Sequence, residues 1–63
     1  MNLEQIKEAI QNGSNVYWSN AGYQVIKDDL GQYLIKHRSG YCIGLTWRDG
    51  VTLNGKESEF FTI

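Results

Sequence analysis

The stretch YQVIKDDLGQYLIKHRSGYCIGL, residues 23–45, decides the fold because it predicts three strands joined by two turns of the same chemical type. Residues 28–31 (DDLG) and 37–40 (HRSG) each fit a type I turn followed by a glycine with positive φ. This is the pattern of a three-residue hairpin loop with a bulge. With both loops in place, Val25 is expected opposite Ile35.

The loop lengths also predict which residues share a face of the sheet, because side chains alternate along a strand. The face expected to form the core carries three rows of paired residues. These rows are Val25, Ile35 and Ile43; Tyr23, His37 and Tyr41; and Lys27, Tyr33 and Leu45. The second face carries Gln24, Ile26, Leu34, Lys36, Cys42 and Gly44. A loop of two or four residues at 28–31 would instead pair Ile26 with Tyr33 and mix the faces.

The composition is that of one small globular domain spanning residues 1–63. The chain is 41% apolar and 13% aromatic, so large rings must make up much of a small core. Its net charge of -1 removes the strong electrostatic attraction that nonspecific nucleic-acid binding requires. No apolar run approaches the roughly 18 residues of a membrane span, and one cysteine cannot form an internal disulfide. We therefore expect a cytoplasmic protein without membrane contact.

The chain is predicted to begin with a helix of about ten residues. Asn2 is a good N-cap, Gln5 stands at the third helical position for a capping box, and Met1 can pack onto Ile6. The helix has an apolar stripe and a C-terminal stop at Gly13. The stripe consists of Leu3, Ile6 and Ile10, with Ala9 beside it.

A first strand is expected at residues 15–19, followed by residues 19–22 (SNAG) as a turn of the same class. In that register Tyr17 falls opposite Val25 on the core face. Val16 and Trp18 then join Ile26 and Leu34 on the second face. Because that face would be partly apolar, we expect the C-terminal segment, a curled sheet or another molecule to cover it.

After Leu45 the chain reads TWRDGVTLNGKESEFFTI. Residues 47–50 (WRDG) fit the same turn class again, and Asn54-Gly55 favours a two-residue hairpin. A very short strand is predicted at 51–53 and a closing strand at 59–63. Phe60 and Phe61 should point in opposite directions, one into the core and one toward the second face.

The residues that could carry chemistry do not form a known catalytic or metal pattern. His37 and Cys42 would be needed together for a nucleophile, but the predicted register places them on opposite faces. One Cys and one His cannot fill a four-ligand metal site, and no glycine-rich phosphate loop is present. The prediction is therefore a non-enzymatic protein without a cofactor.

Two binding hypotheses follow from the aromatic and basic residues. A protein-binding surface is predicted from Trp18, Ile26, Leu34 and Trp47, since aromatic residues are enriched in interface hot spots. The alternative is a single-stranded nucleic-acid surface, on which aromatic rings stack bases and basic side chains follow the backbone. Its residues are Tyr17, Tyr41, Lys36, Arg38 and Arg48. A homodimer in which the second face pairs with itself is compatible with either.

Residues 22–61, and IGLTWRDGVTLNG within them most recognisably, resemble a group of very short proteins from bacteriophage and prophage genomes. No activity is attached to that group, so the resemblance implies no functional residue. It implies a context in which small accessory proteins act by binding host factors. The sequence therefore predicts an α+β domain, one N-terminal helix packed on an antiparallel β-meander of four to five short strands. It is expected to bind a protein partner or itself.

Overall fold

The computed structural model describes all residues 1–63 and has an α+β architecture. One helix and five strands follow each other along the chain, with a short 3₁₀ helix, Glu57–Glu59, before the last strand. The bounds are α1 Leu3–Gln11, β1 Val16–Trp18, β2 Asn20–Lys27, β3 Tyr33–His37, β4 Cys42–Gly44 and β5 Phe60–Thr62. All neighbouring strands are antiparallel in the order β4-β3-β2-β1-β5. The predicted helix and β-meander are confirmed.

The helix begins as its N-terminal residues predict. The Gln5 backbone amide donates to Asn2 Oδ1 at 2.8 Å, and the Asn2 backbone amide donates to Gln5 Oε1 at 2.9 Å. Together the two hydrogen bonds complete the capping box. The helix ends at the cap residue Asn12, and Gly13 follows with φ of +84°. Within this helix, the Ile6 side chain is completely buried. Neither helix has the length and apolar character that crossing a membrane requires.

The two central hairpins have the predicted register. Val25 lies opposite Ile35, which in turn lies opposite Ile43. Gly31 and Gly40 have φ of +81° and +110°. Their backbone amides donate to the carbonyl oxygens of Asp28 and His37, the first residues of the two turns, at 3.1 and 2.9 Å. The turn at residues 47–50 repeats this geometry, with Gly50 at +74°. Local turn chemistry therefore decided the centre of the sheet.

The predicted turn at residues 19–22 is wrong. β2 already begins at Asn20, and Ser19 alone links the two strands with φ of +66°. Gly22 is a buried strand residue whose carbonyl accepts from the Arg38 amide at 2.9 Å. A Cβ at Gly22 would lie 2.9 Å from Asn20 Oδ1, so this glycine permits a close approach and not a turn.

This shorter link moves β1 by one residue, and the face assignment of β1 is therefore reversed. Val16, and not Tyr17, lies opposite Val25 and is completely buried. Tyr17 pairs with Gln24 on the second face. Trp18 lies two residues after Val16 and therefore on the same face, where it packs against the core cluster. The register shifts between Tyr17 and Trp18, which pairs Trp18 with Asn20. The aliphatic side chain is buried, while the tyrosine, which has a polar hydroxyl, stays at the surface.

The Asn54-Gly55 hairpin is also absent. The residues before it form only an isolated bridge between Thr46 and Leu53, not the predicted strand at 51–53. The Asn54 amide donates to the Leu45 carbonyl at 2.8 Å. Gly55 instead lies against the indole of Trp18, where a Cβ would come within 2.6 Å of Nε1. Long-range packing onto this tryptophan replaced the local turn preference.

The closing strand is shorter than predicted and pairs with β1 at the edge of the sheet. Phe60 is buried and Phe61 lies on the second face, as their alternation predicts. The core lies between α1 and one face of the sheet. It consists of Ile6, Val16, Val25, Ile35, Leu45 and Phe60.

Candidate binding surface

The sheet has one face that the helix does not cover, and we call this the open face. One row of paired residues crosses all five strands there, and a second, shorter row lies beside it. The first row is Phe61, Tyr17, Gln24, Lys36 and Cys42, and the second is Ile26, Leu34 and Gly44. Antiparallel sheets commonly pack one face on the core and leave the other to solvent, which gives these rows their exposure.

Four large apolar side chains make the open face unusual for a solvent-facing surface. Tyr17, Ile26, Leu34 and Phe61 are each only partly buried, and none of them packs against the core cluster. The Tyr17 and Phe61 rings lie 5.8 Å apart between centroids with a tilt of 31°. Ile26 and Leu34 are directly paired across β2 and β3. Together they form an apolar patch that runs diagonally over the sheet.

Polar groups lie along this patch. The Gln24 side chain donates to Asn15 Oδ1 at 3.2 Å, which holds its amide beside Tyr17. A shallow depression of about 270 Å³ lies next to Ile26 and is lined by Lys36 and Arg38 without any carboxylate. The open face therefore combines apolar rings with positive charge.

The predicted protein-binding residues are only partly brought together. Ile26 and Leu34 are neighbours on the open face. Trp47 is 65% exposed and shares a cleft with Leu34 at the end of the sheet. Trp18 lies on the other side, with its ring 5.1 Å from Tyr23 in an edge-on arrangement and its buried Nε1 without a hydrogen-bond partner.

The alternative nucleic-acid residues are also divided. Tyr17 and Lys36 belong to the row that crosses the open face, and Arg38 lines the depression beside it. Arg48 lines the cleft next to Trp47 instead. Tyr41 lies in the other aromatic row, stacked on His37 at 5.2 Å.

That second aromatic row lies at one end of the core face. The ring centres of Tyr23 and His37 are 4.5 Å apart, and the Tyr23 and Tyr41 hydroxyl oxygens are 3.1 Å apart. The hydrogen bond with Tyr23 raises the pKa of Tyr41 above its usual value. His37 Nδ1 lies 2.8 Å from Ser39 Oγ, whereas Cys42 is exposed on the open face. His37 and Cys42 are therefore on opposite faces, as the register predicts.

Phe61 lies on the open face although it was not among the predicted binding residues. Its alternation with Phe60 indicated one ring on the second face, but its neighbour Tyr17 was assigned to the core. Only the long-range pairing of β5 with β1 brings the two rings together, and no local pattern reports that pairing.

Comparisons of the chain with family models, with curated proteins and with solved structures found no match.

Proposed function

We propose that this protein is a small non-enzymatic binding module whose open face recognises a protein partner. The observation that carries the proposal is the diagonal patch of Tyr17, Ile26, Leu34 and Phe61, which is partly exposed and outside the core. Burying such side chains against a partner removes apolar area from water, which contributes about 25 cal/mol per Å² before the losses of association. Tyrosine is also among the residues enriched in interface hot spots.

The charges beside the patch indicate the chemistry of the partner. Lys36 and Arg38 flank Ile26 in a depression that contains no carboxylate. A partner segment that combines apolar side chains with Asp or Glu would match this distribution. Lys36 is exposed on the same face, so a partner that covers the face must accommodate its positive charge.

The proposal extends to the biological setting that the sequence indicates. The resemblance of residues 22–61 to small phage-type proteins supports an accessory role that depends on binding a host factor in the cytoplasm. Self-association through the same face is a second form of protein binding, and it is separable by the dependence of the molecular mass on concentration.

The proposal is tested by capture from host lysate with three forms of the full chain. Leu34→Asp places a charge in the middle of the patch, whereas Gln11→Asp makes the same charge change on an exposed residue of α1. We expect a discrete partner to be retained by the wild type and by Gln11→Asp. Loss of a hot-spot contact worth about 2 kcal/mol should weaken its binding roughly thirtyfold in Leu34→Asp. A partner that Leu34→Asp retains fully would contradict the proposal.

Single-stranded nucleic acid is the second candidate, and one observation favours it. Tyr17, Gln24 and Lys36 form consecutive members of one exposed row, which could present a ring, an amide and a cation to a strand. Oligonucleotide binding would then weaken with added salt with a log-log slope of about -0.7 per phosphate contacted. With a net charge of -1 we expect no such binding at physiological salt. Micromolar binding that shows this slope and is lost in Tyr17→Ala would replace the protein-binding proposal.

A further inference from the structure

A second surface feature lies at the opposite edge of the molecule from the aromatic row of Tyr23. It is a cleft of about 370 Å³ between α1, the start of β3 and the turn at residues 47–50. This volume falls at the lower end of the range of small-molecule sites, about 300–1,000 Å³. The charged and aromatic side chains of its lining are Lys7, Tyr33, Trp47 and Arg48.

The charge of this cleft has one sign. Lys7 and Arg48 line it, and no Asp or Glu does. The neighbouring clefts along α1 differ, because one of about 440 Å³ is lined by Glu4 and Glu57 and has no cation. In a protein with a net charge of -1, the cationic lining is therefore a local property.

Two aspartates near the lining residues in sequence are hydrogen-bonded within their own turns. Asp28 Oδ1 accepts the amides of Leu30 and Gln32 at 2.9 and 2.8 Å. Asp49, next to Arg48, accepts the amides of Val51 and Thr52. Both acidic groups therefore hold their own turns.

The Tyr33 ring in the cleft lining has two ammonium groups near it. Lys7 Nζ lies 5.4 Å and Lys27 Nζ 5.7 Å from the centre of the same Tyr33 ring. The ring attracts each cation through its negative face. An anion in the cleft would be attracted by Lys7, and Arg48 in the same lining has the planar guanidinium that binds a phosphate through two parallel hydrogen bonds.

Trp47 adds a flat apolar surface to this positive charge. Its indole is 65% exposed although it is one of the largest side chains of the protein. An exposed indole ring has a flat face on which a nucleobase stacks. We propose that the cleft lined by Lys7, Trp47 and Arg48 binds a ligand of the nucleotide class, with its base on the indole and its phosphate among the cations. This inference does not rest on the proposed function of the open face.

The test uses AMP as the probe and the full chain, with adenosine and inorganic phosphate as its two halves. Binding is measured by calorimetry and by NMR of the two indole N–H groups. AMP should bind more tightly than either half, and it should shift the Trp47 signal while leaving that of Trp18 in place. A charged hydrogen bond is worth about 1.5–3 kcal/mol, so Lys7→Gln and Arg48→Gln should each weaken binding by about tenfold or more.

Lys56→Gln is the matched control, because it removes one positive charge from an exposed residue that does not line the cleft. It should bind AMP like the wild type. Circular dichroism of each variant establishes that the fold is retained, and Trp47→Ala gives an independent loss of base stacking. The inference is overturned by the absence of binding at millimolar AMP, by an equal loss in Lys56→Gln, or by inorganic phosphate binding as tightly as AMP.

Discussion

Ile35 is the central residue of the core, with Val25 and Ile43 on its two sides and an exposure of only 1%. Ile35→Ala should lower the free energy of unfolding by about 2–5 kcal/mol, because it removes buried methylenes and leaves a cavity. Lys36→Ala, one position later on the open face, should change it little. Urea denaturation of both variants checks the prediction, and equal losses would show that the face assignment is wrong.

At the same scale, single residues mark the limit of what the sequence could predict. The alternation of Val25, Ile35 and Ile43 was predictable because the flanking loops had glycines at the required positions. The alternation of Val16 and Tyr17 was not, because Ser19 takes a left-handed conformation that serine rarely adopts. A residue that violates its own local preference gives no sequence signal, and tertiary packing decided its conformation.

Among the structural elements, the turn at residues 47–50 and the residues after it are held by Asp49. Its carboxylate accepts the Thr52 hydroxyl and the amides of Thr52 and Val51. The Thr52 side-chain hydrogen bond, followed by the two amides, lowers the pKa of Asp49 below its usual value. The folded loop therefore favours the ionised form of Asp49.

The direction of the pH dependence follows from that lowered pKa. Because the folded-state pKa of Asp49 lies below its unfolded value, the carboxylate stabilises the loop above the unfolded pKa. This contribution is lost as the pH falls through the folded pKa. Thr52→Val should raise the pKa of Asp49 toward its usual value and increase amide exchange in residues 49–52. An NMR titration of the Asp49 carboxyl checks this, with Thr62→Val in β5 as the control.

An unchanged Asp49 pKa in Thr52→Val would mean that the hydroxyl does not hold the carboxylate in solution.

The elements also differ in how well sequence predicted them. The helix and three glycine turns were correct because their signals lie within a few residues. The Asn54-Gly55 hairpin failed because Gly55 is required against Trp18, and that contact is distant in sequence.

For the whole molecule, the open face is the surface through which we propose that the protein binds a partner. The sequence predicted that a partly apolar second face would exist and named Ile26 and Leu34 on it correctly. It placed Trp18 there in error and missed the pair of Tyr17 and Phe61, because one shifted strand exchanges the faces of all its residues. A candidate site built from several strands is therefore sensitive to a single wrong loop.

Site-specific photo-crosslinking tests the claim that the open face binds a protein most directly. A photoreactive phenylalanine analogue replaces Tyr17 in one form of the chain and the exposed Gln11 of α1 in the other. After irradiation in host cells, the form labelled at residue 17 should give one discrete crosslinked product that Leu34→Asp abolishes. The form labelled at residue 11 should not give that product. Crosslinking that is equal at both positions, or present only at residue 11, would contradict the account.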